Sequence, residues 1–159
     1  MPPTSALPRP RRATTRRAAP RTAATSAAAT GADRWARAAD ADEHDAAAPL
    51  PLGRFDALQQ ALGLSLADLG TVTGLVPRTL QRRRARGLDL DAREAAPVRR
   101  LERLFALAVV TFGSPAAAAD WFSADVPALG GTPLARAATD PGARAVEHVL
   151  AAVEFGFAA

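Results

Sequence analysis

Three times between residues 114 and 141 a short polar side chain is followed at once by proline: Ser114-Pro115, Thr132-Pro133 and Asp140-Pro141. Each pair reads as a helix start. The polar side chain can accept a bond from an early backbone N–H, and proline at the first helical position lacks only an N–H that would have no intrahelical partner. Starts this close together leave room for short helices only, the second running from Thr132-Pro133 to about Thr139. The third, capped by Asp140, carries Val146, Val149, Leu150 and Val153 as its core stripe and stops at Gly156. Upstream, Gly63, Gly74, Gly87 and Gly113 supply further stops. No stretch carries a strand pattern, so the chain reads as all-α.

Order is expected to begin near Arg54. Phe55, Leu58, Ala61 and Leu62 recur at helical spacing, and Ser65 with Asp68 approximates a capping box that opens a helix with Leu66, Leu69 and Val72 as its buried stripe. Leu75-Val76 then turn the chain, and Pro77 starts a helix through Arg86. Small Gly70 lets these two helices approach, Gly74 makes the turn and Leu80 anchors the second helix, which together read as a helix-turn-helix. That arrangement leaves Arg78, Thr79, Gln81, Arg82 and Arg83, with Arg86 a turn further on, to meet a DNA major groove, where Arg pairs with guanine and Gln with adenine. The alternative is a solvated arginine face. Asp91 with Glu94 offers another capping box, and Pro97 falls within or just after the first turn that follows. Val98, Leu101, Leu104, Phe105, Ala108 and Phe112 mark one face of a long connecting helix, with Arg99, Arg100 and Arg103 expected in solvent on or near the other.

Charge divides the 159 residues unevenly. Residues 1–34 hold seven arginines against one aspartate and a single sizeable apolar side chain, Leu7, so they are expected to be a disordered basic tail. They read either as an arm touching nucleic acid phosphates or as a solvated tail, and a transit peptide has a similar composition. Arg16-Arg17 lack the apolar run of an export signal, which favours the cytoplasm. An acidic linker follows, so residues 1–53 form one unit in this reading. Residues 54–103 carry net +4 and residues 104–159 net −3. A basic front and an acidic back imply two kinds of partner. All twenty basic residues are arginine, so position carries more meaning than number.

Catalytic chemistry finds little to work with. There is no cysteine, tyrosine or lysine, and the two histidines lie far apart. Asp140, Glu147 and Glu154 recur every seven residues but read as a cap and solvated helix positions, and Glu147-His148 lacks the i, i+4 spacing of a helical metal site. No serine has a nearby base. The expectation is a protein that is not an enzyme and has neither cofactor nor metal.

The stretch from Trp121 to Leu134 combines apolar anchors (Trp121, Leu129, Leu134) with backbone-restricting residues (Pro127, Gly130, Gly131, Pro133), a mixture suited to a compact ordered loop. With Phe112-Gly113 before it and Gly142, Val146, Leu150 and Gly156 after, this region resembles the toxin-binding domain of Xre/MbcA/ParS-type antitoxins. The resemblance implies an Xre-like helix-turn-helix at 54–97 and a connecting helix and toxin-binding domain at 98–159. It further implies a cognate toxin partner, often of the RES class acting on NAD, together with homodimerisation and repression of the protein's own operon by binding operator DNA. By the same resemblance the toxin contact is expected at Glu154, Phe155, Gly156, Phe157, Ala158 and Ala159, with Trp121 and the Leu129–Leu134 loop holding the domain in shape. The basic N-terminal arm and Ser123-Ala124-Asp125 depart from the family's pattern. The alternative is an orphan helix-turn-helix regulator whose C-terminal domain serves dimerisation or another protein partner. Neither reading involves a membrane.

Overall fold

A computed structural model describes Trp35, Arg37, residues 47–154 and Gly156. Seven α-helices are delimited among them: α1 Leu52–Leu62, α2 Leu66–Thr73, α3 Pro77–Arg86, α4 Ala92–Phe112, α5 Pro115–Ser123, α6 Pro133–Arg136 and α7 Asp140–Glu154, with a 3-10 turn at Pro127–Leu129. The described residues include no strand, only two isolated antiparallel bridges. The all-α expectation holds.

Local chemistry sets most of the helix ends. Ser65 accepts from the Asp68 N–H, Ser114 from the Ala117 N–H and Thr132 from the Ala135 N–H, each filling a donor that the first helical turn leaves open. Asp91 and Glu94 form a reciprocal capping box at the start of α4. Two boundaries differ from expectation. Helix α6 stops at Arg136, and the cap of α7 is Thr139, whose hydroxyl accepts from the Gly142 N–H, while Asp140 is already helical. The packing of Gly142 explains the difference. A Cβ there would lie 2.0 Å from the Arg136 carbonyl oxygen, so the chain turns between α6 and α7 through a contact only glycine permits.

Helix α4 is the spine. It runs unbroken through Pro97, so the expected division between 97 and 98 falls inside one helix. Its buried side chains, among them Val98, Leu101, Leu104, Phe105, Ala108 and Val109, belong to a single core that also takes in Phe55, Leu58 and Leu80 from the front half and Phe122, Val146 and Leu150 from the back. Helix α1 packs on α5 as well, so the two halves share that core. Ahead of α1, Leu50 and Leu90 exchange backbone bonds of 2.8 and 2.9 Å, which fastens the start of α1 to the loop before α4.

Two expectations are corrected here. Residues 1–53 are not tail and linker throughout: Trp35 is buried against Phe105 and Leu50 is fully buried. The expected basic tail, residues 1–34, lies outside the described residues. Nor are Arg99, Arg100 and Arg103 simply solvated. Arg99 is buried and donates to the Ala48 carbonyl at 2.8 Å, Arg100 pairs with Asp140 at 2.6 Å and Arg103 with Glu147 at 2.5 Å. On the same helix Glu102, 2% exposed, receives the fork of Arg54 from α1 at 3.2 and 2.7 Å. The bidentate geometry is what makes a carboxylate tolerable at that depth.

Candidate functional site

Helices α2 and α3 form a tight corner. The Gly70 backbone lies so close to the turn that a Cβ would come within 2.5 Å of the Leu75 carbonyl oxygen. Pro77 occupies the first turn of α3, where its missing N–H costs nothing, and Leu80 is fully buried beneath the helix. The remaining faces of α3 are polar, and its arginines divide into two sets.

Arg78, Arg82 and Arg86 recur every four residues, are exposed, and make no ion pair among the described residues. Gln81 is exposed beside them and Thr79 is half-buried, and with Val76, Arg78 and Arg82 these two line an open concavity. Three guanidinium groups stacked at i, i+4 and i+8 span about 12 Å of helix, close to the width of a DNA major groove. Their five donors each suit phosphate oxygens or the guanine edge.

Arg83 and Arg84 point the other way. Arg83, expected on the free face, donates instead to the Asp89 carbonyl at 2.6 Å and pairs with Asp91 at 2.9 Å and Glu94 at 2.5 Å, its side chain 16% exposed. It therefore joins α3 to the capping box of α4. The Asp91 carboxyl is held below the ordinary carboxylate range, chiefly by the bond it accepts from the Glu94 N–H, with Arg83 adding to the effect. Arg84 pairs with Asp56 of α1. Neither pairing has a helical spacing, so nothing in the sequence marked these two arginines out from their neighbours.

In the back half the loop is ordered by its own backbone. Pro127–Leu129 make a 3-10 turn, Gly130 adopts φ 61°, and the Val126 N–H donates to the Gly131 carbonyl at 3.1 Å. Leu129 and Pro133 are buried, Trp121 and Leu134 half-buried, and Arg136 donates back to the Gly130 carbonyl at 3.2 Å. Beneath the loop runs a chain of rings: Trp35 on Phe105 at 4.9 Å, Phe105 on Phe122 at 5.9 Å, Phe122 on Trp121 and Trp121 on Phe112 at 5.4 Å each. Such edge and tilted pairs add stabilisation beyond the area they bury. Leu129 and Pro133 thus tie the loop to the interior, while Pro127, Ala128 and Gly130 stay exposed. Of the expected toxin contacts, Glu154 is exposed at the end of α7 and Gly156 is exposed in a left-handed turn, whereas Phe155, Phe157, Ala158 and Ala159 lie outside the described residues.

Among the described residues no cluster of three His, Cys, Asp or Glu side chains could hold a metal ion, and no single helix is long and apolar enough to cross a membrane. The described residues thus form an all-α unit in which the ordered loop around Leu129 and the corner of α2 and α3 share one core. Residues 106–156 match the family of the antitoxin Xre/MbcA/ParS C-terminal toxin-binding domain, which covers the end of α4, the loop and all of α7. A search of curated proteins gives no match.

Proposed function

We propose that this protein is the antitoxin of a toxin–antitoxin pair, neutralising a cognate toxin by direct binding and repressing its own operon through α3. The observation that carries the reading is the fusion of a matched toxin-binding domain to a helix-turn-helix whose Arg78, Arg82 and Arg86 are unpaired among the described residues. Its work is binding rather than catalysis. The toxin is of the RES class, acting on NAD, and the antitoxin acts as a homodimer, since helix-turn-helix proteins read paired half-sites. Charge favours a division of labour, with the net-positive front meeting DNA and the net-negative back meeting protein. The toxin contact extends to Glu154–Ala159.

Co-expression with the product of the adjoining reading frame tests the whole reading. Rescue of growth and of cellular NAD is expected from the full chain, and truncation after Val153 is expected to abolish rescue while leaving helical circular dichroism and promoter binding intact. A full chain that binds its promoter but rescues nothing would leave an orphan regulator.

A further inference from the structure

Four large apolar side chains stand exposed among the described residues: Val76, Leu88, Leu107 and Val110. The last two fall inside the segment that matches the toxin-binding family, 41% and 62% exposed, three residues apart on the outer face of α4. The opposite face of the same two turns, Leu104, Phe105, Ala108 and Val109, is in the core, whereas Leu107 and Val110 lie outside the core cluster.

Their place relative to α7 follows from two ion pairs. Arg100 meets Asp140 and Arg103 meets Glu147, so both helices advance in the same direction. At 1.5 Å per residue the next turns of α7 bring Ala151 and Glu154, both exposed, to the level of Leu107 and Val110. An apolar pair is thereby flanked by the Arg103–Glu147 pair on one side and by Glu154 on the other. An apolar centre inside a charged rim is the anatomy of a protein-binding surface.

We infer that Leu107 and Val110 are the apolar anchors of the toxin contact, seated in a socket of the toxin whose rim is basic. This rests on the antitoxin reading and adds a helical face of α4 to the C-terminal contact. Two observations favour a toxin over a second copy of the chain. The pair lies in the segment that carries the toxin-binding match, and residues 104–159 are net −3, a balance that suits a basic partner better than a second copy.

The test uses full-length protein carrying Leu107→Asp and Val110→Asp, and as probe the purified product of the adjoining reading frame. Because both side chains are exposed, circular dichroism, melting temperature and promoter binding are expected to stay near wild type. Affinity for the probe is expected to fall by roughly tenfold or more, with loss of rescue. Unchanged affinity in the folded double variant would overturn the assignment. So would sedimentation showing that the wild type alone is a dimer which the variant dissociates, since the face would then belong to a second copy. A wild-type chain with no affinity for the probe sinks the antitoxin reading itself, and the docking face with it. As a second variant, Val110→Ala keeps the surface neutral and is expected to weaken binding less than aspartate does; equal binding by Val110→Ala and Val110→Asp would also count against an anchor role.

Discussion

The indole of Trp35 stands edge-on to the ring of Phe105, centroids 4.9 Å apart and planes at 79°, so a residue from the start of the chain completes the core beside the toxin-binding domain. Trp35 is 5% exposed and Phe105 fully buried. The matched segment begins at residue 106, one position after Phe105, so the domain in this protein draws part of its interior from outside the family's span.

Removing residues 1–34 is therefore expected to leave the melting temperature close to that of the full chain, whereas Trp35→Ala should cost about 3–5 kcal/mol, as truncations of buried aromatics do. Thermal denaturation of the two proteins side by side checks this. Equal melting temperatures for full chain and Trp35→Ala would show that the indole contributes no net packing.

On the proposed DNA-binding reading, the division of arginines on α3 predicts separable phenotypes. Arg82→Ala is expected to lower affinity for the protein's own promoter and to flatten its dependence on salt, because a lost phosphate contact releases fewer counterions. Arg83→Ala acts through position: α3 loses its tie to Asp91 and Glu94, so affinity falls while the salt slope stays near wild type, and Arg83→Lys restores part of the loss. Electrophoretic shift or anisotropy across a salt series distinguishes them. A slope flattened equally by both substitutions would place Arg83 on the DNA.

The capping carboxylate should make stability acid-sensitive. Asp91 titrates below its ordinary range in the folded state, so it contributes stability above the unfolded value, and that contribution is lost as pH falls below about 4. Asp91→Asn has no charge to lose. Its chemical denaturation midpoint is expected to fall less than that of the wild type between pH 5 and pH 3, and parallel curves would remove Asp91 from the account.

Gly142 and Gly53 offer a paired test of local packing. Gly142→Ala forces a methyl against the Arg136 carbonyl and is expected to destabilise by at least about 1–3 kcal/mol. At Gly53, in α1, a Cβ would meet nothing within 4 Å, so Gly53→Ala should stabilise by roughly 0.4–1 kcal/mol. Urea denaturation of both reads the sign directly.

The sequence by itself determined the features that act within about four residues. Ser65, Ser114 and Thr132 cap helices because their oxygens reach N–H groups of the next turn, Pro77 and Pro115 open helices because φ is already set, and Gly63, Gly74, Gly87 and Gly113 close them in left-handed turns. Leu80 and Phe105 were legible as buried because apolar periodicity needs no knowledge of the partner. Only the tertiary structure decided what depends on which helices approach. It put Trp35 in the core, paired Glu102 with Arg54, drew Arg83 to the capping box while leaving Arg82 outside, and left Leu107 and Val110 exposed on the helix that forms the spine of the core. Arginines in one run look alike until a neighbouring helix supplies a carboxylate to one and solvent to the next. The exposed state of an apolar pair likewise follows from where the neighbouring helices α5 and α7 come to rest on α4.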